Sequence, residues 1–202
     1  MILVKTGWHA MKLTKRQKKQ LFSSVLGIIV ILLGGYTIDQ PKLDTITKGP
    51  VDPGFYRVVK VNDGDTITVE MGPNEEKIRL LGVDTPETQH PSKPVQCFGK
   101  AASEFTKKLV GTNPVRLEAD PINDNRDRYN RLLRYVYLPD GRMINLELVK
   151  QGYGFAYTSF PLEKSEEFKS LELQAKKENR GLWGGCDIKI NKYGSPESPP
   201  AK

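Results

Sequence analysis

This chain is short of several things, and each shortage excludes something. Its 202 residues hold a single long apolar run, so a polytopic membrane protein is excluded. No segment repeats, and neither glycine nor proline dominates. With 38% hydrophobic and 27% charged residues, collagen-like, low-complexity and wholly disordered chains are excluded as well. There are two cysteines, and the length allows one domain of roughly 100–150 residues that buries its core without metal or disulfide staples. The first 38 residues contain no acidic side chain but six basic ones: Lys5, Lys12, Lys15, Arg16, Lys18 and Lys19. Taking those six from the chain's 31 leaves 25 basic groups against 24 acidic ones, so the net charge of +7 comes from one end. Bulk charge is therefore no sign of nucleic-acid binding, and any anion site must be local.

The uncharged run from Leu21 to Ile38 would span about 27 Å as a helix, close to the ~30 Å of a bilayer's hydrocarbon core. Its flank Lys15-Arg16-Gln17-Lys18-Lys19 is basic and Asp39 is the first acid beyond it, an orientation with the N-terminus inside the cell. An uncleaved anchor and a cleaved signal peptide both fit. The anchor is preferred, because Gly34-Gly35-Tyr36-Thr37 offers no clean small-x-small cleavage site. The expected organisation is a basic cytoplasmic segment (1–20), a transmembrane anchor or signal peptide (21–38), a proline-containing linker (39–54), a folded domain (55–187) and a disordered tail (188–202). The folded domain would then sit outside the cell membrane, or be secreted if the run is cleaved.

Within the folded region, 55–61, 65–71 and 77–83 read as three short strands joined at Asn62-Asp63-Gly64 and Gly72-Pro73-Asn74, an antiparallel meander. A helix over 98–110 presents Phe98, Ala101, Ala102, Phe105 and Leu109 on one face. Strands follow at 114–118 and 131–138, then a short helix at 144–151 and a longer one at 162–179 lined by Phe168, Leu171 and Ala175. The order βββ-α-ββ-α-α predicts an α+β, mainly β fold: a five-stranded OB-type barrel with three helices, preceded by one N-terminal hydrophobic helix.

Four polar clusters stand out, and each has an ordinary structural explanation. Asp63-Gly64-Asp65-Thr66 is a hairpin turn. Arg79, alone in an apolar strand, is a solvated exterior charge. Asp84-Thr85-Pro86-Glu87 is a helix start, with Asp84 as N-cap and Glu87 closing a capping box. Residues 124–131 form a charged loop. Taken together they supply carboxylates for a hard cation, a spare carboxylate and separated arginines, the inventory for metal-assisted phosphodiester cleavage.

Three blocks, V-N-D-G-D-T (61–66), I-R-L-L-G-V-D-T-P-E (78–87) and D-R-Y-N-R (127–131), resemble the signature blocks of the staphylococcal nuclease (thermonuclease) family. The resemblance covers roughly 55–183 and extends through A-A-S-E-F-T-K-K-L-V (101–110), L-V-K-Q-G (148–152) and S-L-E-L-Q-A-K-K-E-N-R-G-L-W (170–183). It implies a Ca²⁺-dependent endonuclease acting on single- and double-stranded DNA and on RNA, leaving 3′-phosphate ends and working as a monomer. It implies that Asp65 and Asp84 bind Ca²⁺ with the backbone carbonyl of Thr85, with Asp63 just behind them. Glu87 would act as general base, or at least orient the attacking water. Arg79 and Arg131 would hold the scissile phosphate, Arg128 and Tyr129 would contact a neighbouring phosphate, and Tyr157 would pack on a base. Asn130 stands where the family usually has glycine, and asparagine is the next best residue for a left-handed backbone. The second aromatic near Tyr157 is not clearly present, since Thr158-Ser159-Phe160 aligns only with a one-residue gap. His90 is given no catalytic role.

Two cysteines in an exported domain, Cys97 at the start of the first helix and Cys186 at the end of the last, suggest one disulfide; two free thiols are the alternative. The alternative function is a non-catalytic OB-type module that binds nucleic acid or protein at the cell surface. Retention of Asp65, Arg79, Asp84, Glu87 and Arg131 argues against it.

Overall fold

The computed structural model describes residues 54–88 and 94–201. The basic segment, the apolar run at 21–38, all but the last residue of the linker, and His90 lie outside the described residues. Among the described residues no helix is long and apolar enough to cross a membrane.

Alternation of apolar and polar residues builds the sheet. Strands β1 (Phe55–Tyr56), β2 (Val58–Asp63), β3 (Thr66–Met71) and β4 (Asn74–Leu80) are followed, after intervening elements, by β6 (Val115–Glu118) and β7 (Leu132–Tyr137). β2, β3 and β4 form the expected antiparallel meander, with Asp63 opposite Thr66 at one two-residue turn and Met71 opposite Asn74 at the other. β7 lies parallel to β4, Ile78 facing Leu132, and antiparallel to β6. The sheet order is β1-β6-β7-β4-β3-β2. Its two edge strands, β1 and β2, are separated in the chain only by Arg57, so one bent strand serves both edges and curls the sheet on itself. Counted that way, the five expected strands are all there.

Ile67, Val69, Ile78, Leu80, Val115 and Val136 fill the barrel, each at most 1% exposed. Helices α1 (Gly99–Val110), α2 (Ile144–Lys150) and α3 (Ser165–Lys177) cover it, and Phe168 and Ala175 of α3 are fully buried as the periodicity predicts. Three expectations need correction. A fourth short helix, α4 (Leu182–Gly185), follows α3; its paired glycines hide it from propensity arguments. The buried face of α1 is wider than the predicted one: Ala102 is fully buried and Phe105 and Leu109 pack part-buried against the core as expected, but Gly99, Ser103, Thr106 and Val110 are buried as well. Part of the added face is polar: the Thr106 hydroxyl donates to the Gly64 carbonyl at 2.6 Å, under the β2–β3 turn. Thirdly, 188–202 is not a disordered tail over its described residues. β9 (Lys189–Ile190) pairs with β10 (Pro196–Glu197), Ser198 is buried, and Pro200 bridges to Gln96. The disulfide joins Cys97 to Cys186, 89 residues apart, at the root of that hairpin.

One buried amide links the layers. Asn145 of α2 accepts from Val136 N–H at 2.8 Å and donates to the carbonyls of Leu81 and Arg134 at 2.9 and 3.1 Å. The Arg134 carbonyl also accepts from Leu81 N–H at 3.0 Å, so replacing Asn145 by alanine strands one donor, Val136 N–H, and one acceptor, the Leu81 carbonyl, in a dry core. Asn145→Ala is expected to lower unfolding stability by about 2–4 kcal/mol in urea titrations. A loss below about 1 kcal/mol would show that the network is not needed.

Candidate active site

Three chain reversals bring the polar clusters to one end of the barrel. The β2–β3 turn carries Asp63 and Asp65. Gly82, at φ +74°, then folds the chain back from β4 into β5 (Val83–Asp84). An added Cβ there would lie 2.3 Å from the Phe168 ring, so both conformation and space require glycine. β5 pairs with β8 (Phe155–Ala156), which delivers Tyr157, whose N–H donates to the Gly82 carbonyl at 2.9 Å. Gly64 approaches closely enough that a Cβ on it would sit 2.7 Å from the Thr85 hydroxyl. The third reversal is the loop before β7, where Asn130 takes the left-handed conformation (φ 63°) expected of a glycine substitute.

Arg79 sits where these pieces meet. Its neighbours Ile78 and Leu80 point into the core, so Arg79 faces the other way, but the returning chain covers it and its side chain is only 12% exposed. The solvated exterior charge expected from the sequence is therefore corrected. Nη1 donates to the carbonyls of Leu80 and Val83, each at 2.6 Å. Nη2 lies 3.0 Å from Asp84 Oδ1 and 3.3 Å from Asp65 Oδ2. Burial works against the guanidinium charge, but Asp65 and then Asp84 outweigh it and raise the pKa further.

Asp65 is nearly buried and well bound. Its Oδ1 accepts from the Thr66 hydroxyl at 2.9 Å, and its Oδ2 accepts from the Thr85 N–H at 3.0 Å. Asp84 is half-exposed. No helix starts at Asp84; residues 85–88 are irregular chain, which removes the capping-box explanation of Glu87. Instead, Asp63 is a partner of Glu87. Burial pushes the Asp63 carboxyl up to about 6, the Asp65 charge and a hydrogen bond with Glu87 add to this, and bonds from Gly64 N–H and the Thr88 hydroxyl oppose it.

Two cavities adjoin this cluster. A groove of about 530 Å³ is lined by Arg79, Asp84, Arg128, Tyr129, Arg131 and Tyr157, among others. Arg131 is fixed by Asp127, which accepts from its Nε at 2.7 Å and its backbone N–H at 2.9 Å. The guanidiniums of Arg128 and Arg131 lie 4.8 and 5.4 Å from the Tyr129 ring centre, and that ring is largely exposed. A second cavity, of about 690 Å³, has Asp84, Thr85, Glu87 and Tyr157 on one side and hairpin residues 191 and 193–198 on the other. Asp84 and Tyr157 belong to both. Asp65 lines neither and reaches the site through Arg79 and Thr85. The cysteine pair stands at the start of α1, outside both cavities.

Sequence reasoning left one participant open, Phe160, and missed another, Gln96. Phe160 lines the first groove and meets Tyr157 edge-on at 6.0 Å, so the second aromatic is present after all. Gln96 lines the second cavity and holds the Glu87 backbone. The Tyr157–Phe160 spacing was a usable signal; Gln96 left none.

The donor chemistry suits a hard divalent cation. Asp65 and Asp84 present oxygens around one point, the Arg79 Nη2, and the buried Thr85 hydroxyl has no hydrogen-bond partner beside them. Among the described residues no three or more Asp, Glu, His or Cys side chains gather into a metal cluster. Further ligands would have to come from the backbone, water or substrate.

The family model described as Staphylococcal nuclease homologue matches residues 77–185. A thermonuclease of Staphylococcus intermedius is 46% identical over 161 residues, covering 78% of this chain and 92% of that protein. A thermonuclease of Staphylococcus hyicus is 42% identical over 160 residues, 79% and 93% of the two chains. Endonuclease YncB of Bacillus subtilis is 41% identical over 132 residues, 64% of this chain and 62% of that one. The protein is thus a nuclease, a phosphodiester hydrolase acting on nucleic acid. It belongs to the staphylococcal nuclease family.

The Asp127–Arg131 contact makes a pH-dependent prediction. Burial raises the Asp127 pKa, but the Arg131 backbone N–H and guanidinium more than offset this and leave it depressed. A depressed carboxylate stabilises the fold above its unfolded value and loses that contribution as pH falls through its folded value. Asp127→Ala should therefore cost about 1–2 kcal/mol near pH 7 and progressively less in acid. Thermal unfolding against pH checks this; a cost that grows in acid would contradict it.

Proposed function

We propose that this chain is a Ca²⁺-dependent endonuclease that cleaves single- and double-stranded DNA and RNA and leaves 3′-phosphate ends. The observation that carries the reading is Arg79 held between Asp65 and Asp84 on the wall of a groove that also presents Arg131. Asp65, Asp84 and the Thr85 carbonyl would hold the cation, which when bound supplies positive charge to a phosphoryl oxygen.

The rest is the work of the protein's own groups. The Glu87 carboxylate takes a proton from water, and the water oxygen forms a bond to phosphorus. The phosphorus–O5′ bond breaks, O5′ takes up a proton, and the phosphate stays on the 3′ side. The pentacoordinate transition state carries more charge than the diester. Arg79 and Arg131 donate to its oxygens; Asp127 already fixes the Arg131 fork, whereas both Arg79 Nη nitrogens have partners, so Nη2 exchanges a carboxylate contact for the phosphate. Arg128 and Tyr129 engage the neighbouring phosphate, and Tyr157 packs on a base.

Two protein carboxylates make a weak Ca²⁺ site, which suits millimolar extracellular calcium. This agrees with an N-in orientation in which residues 21–38 anchor the chain and the nuclease domain works outside the cell as a monomer, or is secreted if the run is cleaved.

The test is cleavage of single-stranded DNA by the full chain, with Ca²⁺ and then with excess chelator. Cleavage should vanish with chelator. Glu87→Gln should lower kcat by roughly 100-fold or more with KM little changed. Cleavage that survives chelation would overturn the cation assignment, and an unchanged kcat in Glu87→Gln would overturn the base.

A further inference from the structure

Glu87 lies on irregular chain, yet its backbone is held on several sides. Gln96 pairs with it twice: Gln96 N–H donates to the Glu87 carbonyl at 2.9 Å, and Glu87 N–H donates to Gln96 Oε1 at 2.7 Å. A Cβ on Gly99, the first residue of α1, would sit 2.8 Å from that same Glu87 carbonyl, so the helix start abuts it.

Gln96 is in turn fixed by the end of the chain. Ala201 N–H donates to the Val95 carbonyl at 2.8 Å, and Cys97 N–H donates to the Pro199 carbonyl at 2.7 Å. Gln96 itself bridges to Pro200. The buried Ser198 hydroxyl donates to the Cys97 carbonyl at 2.7 Å, and Gln96 Nε2 points to Glu197 Oε1 at 3.5 Å. The Cys97–Cys186 bond ties the root of this segment to the residue beside Gln96. The order across the site is therefore Glu87, then 95–97, then 199–201.

We propose that Gln96 is a positioning residue for Glu87, and that the C-terminal segment 198–201, stapled through Cys97–Cys186, holds Gln96 in register. The proposal rests on the reading of Glu87 as the base. Its physical basis is distance: a base must stay within hydrogen-bond reach of the attacking water, and a displacement of about 1 Å can cost roughly 100-fold in rate. Glutamine suits the position because one amide both accepts from Glu87 N–H and donates toward Glu197. A glutamate there would add another carboxylate beside Asp63, Glu87 and Glu197.

The test uses full-chain variants. Gln96→Met should lower kcat on single-stranded DNA about tenfold or more, with KM within about twofold. The double variant Gln96→Glu with Glu197→Gln exchanges acceptor and donor at constant charge and should restore most of the lost kcat. Site-resolved hydrogen exchange gives a readout independent of cleavage. The Glu87 amide should exchange about tenfold faster or more in Gln96→Met, and also in Cys97→Ser with Cys186→Ser. An unchanged kcat in Gln96→Met, a loss that merely tracks the folded fraction, or no rescue by the double variant would overturn the positioning role. Unchanged exchange at Glu87 in the cysteine variant would overturn the part given to the C-terminal segment. No cleavage by the wild-type chain would count against the functional reading alone, since exchange still reads the clamp.

Discussion

A buried guanidinium flanked by two carboxylates is the constraint on which this end of the molecule depends. Removing Arg79 from water is costly, and the structure answers with two carbonyls and two carboxylates on two nitrogens. Those partners come from the β2–β3 turn, the end of β4, and β5. Satisfying one side chain therefore fixes three segments relative to one another. Asp65 extends the linkage by accepting from Thr85 N–H, which sets the direction of the chain leading to Glu87.

The barrel supplies the rigidity this arrangement needs. One bent strand closes the sheet, and Asn145 pins the chain after β4 to β7 and α2 from inside. The outer side is finished differently on its two flanks. Toward the first groove, arginines and exposed aromatics line the wall, as suits a stacked, charged strand. Toward the second cavity, the C-terminal hairpin closes off the Glu87 side and is held by the disulfide.

Much of this was legible in the sequence, for identifiable reasons. The β2–β3–β4 meander announced itself through two-residue turns between alternating strands, and α3 through Phe168 and Ala175. The family blocks gave Arg79 a place in the site, but alternation alone left it a solvated charge, because alternation tells which face a residue occupies and not what covers that face. The covering chain depends on Gly82 turning at positive φ against Phe168, a tertiary fact. The polar part of the α1 face was not legible, because the Thr106 hydroxyl finds its carbonyl on Gly64, a partner 42 residues away. Residues 188–201 carry prolines and no periodicity, and they order by pairing with residues about a hundred positions away, which no local pattern records. Gln96 was invisible for the same reason.

The central claim is that Asp65 and Asp84, organised by Arg79, form the cation site. Calorimetric titration of Ca²⁺ into the full chain and into Asp65→Asn, with circular dichroism confirming that both are folded, tests it most directly. The account predicts one weak site in the wild-type chain, with Kd of roughly 0.1–1 mM, and its loss in the variant. Equal Ca²⁺ binding by the two folded proteins would contradict it.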